Sequence, residues 1–210
     1  MISLEDIKIY LPQYLSQESQ EDLFEDLKKF PANLDQRLYT TSLKNKPNLF
    51  QGDGLQELLF VNLPDREVRP APGMILSNSC DIDPANERLF PNRIVYAPIF
   101  QIQKYQRMLV REHVEKGKCN IENIDSHIES IKKQFNSHIF YLPKGGELEA
   151  DSIVFLDRLN NCPADFCDDG KITEKRIFTL SDFGFYAFLV KLSIHFMRVR
   201  EGVNRTGEEH

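Results

Sequence analysis

The 210-residue chain is 41% hydrophobic and 28% charged, ordinary proportions for one globular domain, alone or with a helical extension. Its net charge of −6 speaks against a protein that coats nucleic acid non-specifically, a mode that needs many Lys and Arg side chains on phosphates. A leader sequence and a membrane-spanning apolar run are both missing, so a cytoplasmic protein without membrane contact is expected; four scattered cysteines in a chain this long fit reduced thiols.

The first 48 residues read as a helical region. Ser19 is a candidate cap for a helix with Glu21 and Asp22 in its first turn, an apolar stripe of Leu23, Phe24, Leu27 and Phe30, and Pro31 as its stop. The main domain, residues 49–210, opens at the turn Phe50-Gln51-Gly52-Asp53-Gly54, and Leu58-Leu59-Phe60-Val61 reads as a strand. Arg66 to Pro72 reads as a loop. Two short apolar runs, residues 73–77 and 93–99, follow as strands around the polar segment Asn78-Ser79-Cys80-Asp81-Ile82-Asp83. This spacing leaves no room for crossover helices and predicts an antiparallel meander.

From residue 103 to 137 the apolar period becomes helical, with Tyr105, Met108, Leu109 and Val114 on one helix and Ile124, Ile128, Ile131 and Phe135 on a second. A helical hairpin inserted between strands is expected. Residues 138–142 and 152–156 resume the strand pattern around a turn containing Pro143, Gly145 and Gly146. A helix from Ser181 to about Arg200 closes the domain, with Phe185, Phe188, Leu189, Leu192 and Phe196 as its core stripe. Lys191, His195 and Arg198 recur on the opposite face, near Arg205.

Charge is unevenly spread. Residues 103–137 and 171–210 each hold seven basic and five acidic side chains, whereas residues 138–170 hold two basic and seven acidic ones. A polyanion would meet the first two regions, although a solvated helix face produces the same counts. Cys80 is a candidate nucleophile with His195 as its base; the competing reading makes Cys80 a small packed residue and lets Ser79 and Asp81 bond the backbone of a turn. Cys162 and Cys167 lack a second ligand pair at metal-binding spacing, and neither a phosphate loop nor a His-Glu-X-X-His motif occurs, so no metal or cofactor is expected.

The order of these pieces resembles the PemK/MazF family of bacterial toxins. Gly52-Asp53 is similar to the family's opening Gly-Asp, Pro72–Asn78 to its strand ending in Ser-Asn, and Arg93–Ile99 to its Val-Ala-Pro-Ile strand. Residues 148–159 resemble its strand beginning Asp-Ser, and Arg176 with Leu180-Ser181 the approach to its closing helix. The resemblance covers residues 50–102 and 138–198. It implies an SH3-like barrel, which with the helices read above gives an α+β fold: a mainly antiparallel SH3-like barrel with N-terminal helices, the inserted hairpin and a long C-terminal helix over residues 181–200. It also implies metal-independent RNA cleavage by an arginine before the second-strand proline and a threonine after Pro-Ile. Ala71 and Phe100 stand at those two places, and neither side chain can move a proton or hold an oxyanion. The Ser79-Cys80-Asp81 turn and the Leu192–Arg198 segment are also similar to a set of uncharacterised bacterial and phage-associated proteins.

Two function classes follow. One is a toxin-like endoribonuclease of a toxin-antitoxin or phage-defence system with a relocated site, its catalytic candidates being Arg69, Ser77, Ser79, Cys80, Asp81 and His195 and its RNA-contact candidates Arg93, Lys191, Arg198 and Arg205. The other is a catalytically inactive barrel that binds nucleic acid or a protein partner. By family analogy a homodimer, and an antitoxin or defence-complex protein as partner, are expected.

Overall fold

A computed structural model describes residues 16–86, 89–115, 121–167 and 170–196. Within them an open antiparallel sheet of eight strands carries seven α-helices, an α+β architecture. The strands are β1 (Tyr39–Thr40), β2 (Gly54–Val61), β3 (Val68–Ile75), β4 (Arg93–Gln101), β5 (Ile139–Leu142), β6 (Ser152–Phe155), β7 (Asn160–Pro163) and β8 (Arg176–Leu180). Their order is β1-β8-β2-β3-β4-β6-β5, with β7 also paired to β4. The expected meander is β2-β3-β4. The sheet does not close on itself.

Alternation of side chains along the strands sorts the core. On one face Met74, Ala97, Ile99, Phe140, Leu142 and Val154 form a continuous cluster. Helix α1 (Gln17–Lys29) and helix α7 (Asp182–Phe196) cover this face, through Leu23, Phe24 and Leu27 of the first and Phe183, Ala187 and Phe188 of the second. The neighbouring positions, one residue on, point the other way and divide into two clusters. Leu55, Leu58, Ile75, Ile94 and Tyr96 pack with Ile82 of the one-turn helix α2 (Ser79–Ile82). Ile139, Tyr141, Ile153 and Phe155 pack with helices α3 (Ile102–Glu115) and α4 (Ile121–Lys132), so the helices between β4 and β5 cover the far end of the sheet. Two more single-turn helices, α5 (Ala164–Cys167) and α6 (Ile172–Lys175), bracket the approach to β8. No described helix is long and apolar enough to cross a membrane.

Several expectations shift. Ser16, not Ser19, caps α1; its hydroxyl accepts the Ser19 N–H at 3.2 Å. Residues 68–72 belong to β3 instead of a loop, because Pro70 and Pro72 lie where β3 keeps its pairing with β2 but has already lost β4. Met108 and Val114 on α3 are exposed and Phe135, beyond the end of α4, is 74% exposed, while Ile124, Ile128 and Ile131 on α4 are buried. Helix α7 is apolar on nearly every side, so periodicity alone does not choose its buried face. Close approach chooses it: a Cβ on Gly184 would lie 2.1 Å from the Leu38 carbonyl oxygen, and this face carries Gly184, Ala187, Phe188 and Lys191 at i, i+3, i+4 and i+7. Phe196 is left 55% exposed.

Candidate functional site

The Ser-Asn-Ser-Cys-Asp segment leaves β3 and turns at once into α2. Each polar group nearest the strand takes a backbone partner. Ser77 Oγ accepts the Val95 N–H at 2.7 Å, Asn78 Oδ1 accepts the Cys80 N–H at 2.9 Å as the helix cap, and Ser79 Oγ accepts the Gln51 N–H at 2.9 Å. Such bonds satisfy donors that strand and helix ends leave open. Cys80 and Asp81 are exposed on α2. Because α2 packs on one face of the sheet and α7 on the other, the fold does not bring Cys80 and His195 together.

The cationic candidates are dispersed. Arg69, opposite Phe60 in the β2–β3 register, is exposed and held by Glu67, with Asp65 at 3.7 Å. Arg93, also exposed, donates from Nε to Asn161 Oδ1 at 2.7 Å. His195 is half-buried, its ring 4.5 Å from that of Phe196. Lys191 departs from the expected exposed face: it is 1% exposed, and Nζ donates to the Gln134 carbonyl at 2.7 Å. Burial without a carboxylate among the described residues pulls its ammonium down to about 8. Arg198 and Arg205 lie outside the described residues.

Two pieces of the resemblance, Asp53 and Arg176, meet across 123 positions of chain as a buried ion pair, Nε to Oδ2 at 3.1 Å. The same guanidinium donates to the carbonyls of Leu43, Lys44, Lys46 and Asn48, and Asp53 Oδ2 also accepts the Phe50 N–H at 3.0 Å. Burial raises the Asp53 carboxyl to about 6 against the opposing pull of Arg176. This network ties residues 43–50 to the sheet.

The notable concavity lies elsewhere. β4 pairs with β3 only through residues 96–98 and then diverges to pair with β6 through residues 99–101. A cleft of about 390 Å³ opens beside this divergence, within the volume range of ligand sites. Pro70, Ala71, Pro72, Ile99, Leu148 and Ile177 give it apolar walls. Gln56, Glu57, Gln101, Glu147, Glu149 and Ser152 supply polar groups, and among the described residues no Lys, Arg or His lines it. A one-residue β-bulge between Leu55 and Leu58 sets Gln56 and Glu57 at the cleft, with Glu57 at φ 61°, in the left-handed region. Glu147 is paired to Lys44, Oε1 to Nζ at 2.7 Å. Ser152 Oγ donates to the Ala150 carbonyl at 2.9 Å.

Ala71 therefore lines the cleft, whereas Phe100 turns to the opposite face, its ring edge-on to Phe155 at 5.4 Å. Arg69 does not line it. Sequence reasoning missed all five of Gln56, Glu57, Gln101, Glu147 and Glu149: the acidic count of residues 138–170 includes the last two without singling them out, and a bulge and a strand divergence leave no mark in composition. No protein-family model matches the chain, and no curated protein matches it.

Proposed function

We propose that the chain is a non-catalytic binding module, built on an opened SH3-like barrel of the PemK/MazF kind, whose cleft takes a segment of a protein partner. The observation that carries this reading is the cleft lining: carboxylates from Glu57, Glu147 and Glu149, an alanine at position 71 and, among the described residues, no cation. Phosphate groups would meet like charge there, and among the described residues the lining holds no cation to neutralise the charge that develops on a scissile phosphodiester. A toxin-antitoxin or phage-defence assembly is the setting the resemblance suggests.

Incubation of the purified chain with mixed-sequence single-stranded RNA in EDTA, beside Arg69→Ala and His195→Ala, tests it. Intact RNA in every lane is expected. Cleavage by the wild type that either variant loses would overturn the reading and restore the relocated ribonuclease.

A further inference from the structure

Resting on the binding-module reading, we propose that the occupant of the cleft is an extended partner segment bearing one Arg or Lys side chain flanked by small apolar residues. Its shape argues for a segment. The cleft is at the small end of ligand sites, suited to a few side chains rather than a folded surface, and it lies along strands that already run extended. Pro70 and Pro72 lack N–H donors on the stretch of β3 that β4 has left, so the sheet contributes less hydrogen bonding there, and side-chain contacts must carry more of the recognition.

The apolar walls set one half of the specificity. Pro72, Ile99, Leu148 and Ile177 offer surface that gains by excluding water. Charge sets the other half. Glu57 and Glu149 have no ion-pair partner among the described residues, while Glu147, from the same loop as Glu149, already holds the Lys44 ammonium at 2.7 Å. A second cation completes the pattern, and beside a partly apolar wall an Arg or Lys delivers its charge on an aliphatic stem that covers the apolar surface. An acidic or phosphorylated segment would bring like charge against these carboxylates.

The test pans a randomised peptide library against the full chain and measures the selected peptides by fluorescence anisotropy. Enriched sequences carrying Arg or Lys between apolar residues are expected. Their affinity should fall about ten-fold in Glu57→Gln/Glu149→Gln, equivalent to about 1.4 kcal/mol, and should weaken as salt rises. Glu149→Arg, an exposed loop substitution, gives the same loss if the double variant folds poorly by circular dichroism. Enriched acidic or uncharged peptides, or affinity that neither variant changes, would overturn the cationic occupant and leave the binding module standing. No enrichment from the library, together with RNA bound by the wild type and released by Arg93→Ala, would overturn both.

Discussion

The interior cation network and the cleft treat charge in opposite ways. Arg176 is 2% exposed, yet it meets a carboxylate and four carbonyl oxygens, so the cost of dehydrating its guanidinium is offset at every nitrogen. In the cleft, Glu57 and Glu149 have no ionic partner among the described residues. Buried charge that is fully paired is structure; charge left open beside an apolar wall is available to a ligand. The difference teaches where to look, because the chain's most heavily bonded charge, Arg176, is structural, whereas the carboxylates left open lie beside the apolar wall.

The largest expected effect lies in the paired region. Arg176→Met strands Asp53 without its cation and removes the guanidinium from the carbonyls of Leu43, Lys44, Lys46 and Asn48, so a loss of about 3–5 kcal/mol in denaturant unfolding is expected. Adding Asp53→Leu recovers part of that loss by removing the uncompensated carboxylate. A loss under about 1 kcal/mol in Arg176→Met would show that the network is not what ties this loop to the sheet.

That network also marks how far the sequence could be read. Strands β2, β4, β5 and β6 and the helices between β4 and β5 were legible because apolar runs and their period report burial locally. Gly52-Asp53 and Arg176 were noticed as separate motifs, but their meeting is a property of the β2–β8 pairing, which no local pattern contains. Ser77 and Ser79 looked reactive for a related reason: a hydroxyl that accepts a backbone N–H from a neighbouring strand or turn is indistinguishable in sequence from one that attacks a substrate. Lys191 was read as exposed because helix spacing fixes relative angles and not the face that packs. Only the close approach at Gly184 selects that face. The cleft was the least legible feature, since it arises where β4 changes partners.

Lys191 is an intermediate case that sharpens the contrast, a buried cation with a carbonyl but no described carboxylate. Its ammonium titrates at about 8 in the fold against roughly 10.4 in an unfolded chain. Between those values the unfolded chain holds the extra proton, so stability rises with pH through this window and the whole penalty applies below it. A gain of up to about 3 kcal/mol between pH 7 and 10 is expected from this residue. In Lys191→Met that rise disappears, which urea unfolding at several pH values would record. A wild-type slope that survives the substitution would assign the titration to another group.

The smallest effect has the opposite sign and falls in the cleft. Glu57 sits at φ 61°, where a side chain costs roughly 1 kcal/mol that glycine avoids, although glycine also loses more backbone freedom on folding. Glu57→Gly is therefore expected to stabilise the fold by a few tenths to about 1 kcal/mol while weakening the cationic peptide. Glu57→Ala separates the two causes: it removes the same carboxylate but keeps a Cβ in the left-handed conformation, so it should weaken the peptide equally without the gain in melting temperature. If both variants leave stability and affinity unchanged, the bulge is an accommodation of strand pairing alone. If glycine stabilises and both variants weaken binding, the wild-type glutamate is held in an unfavourable backbone conformation at a position where its charge meets a ligand, as expected when strain persists at a binding site.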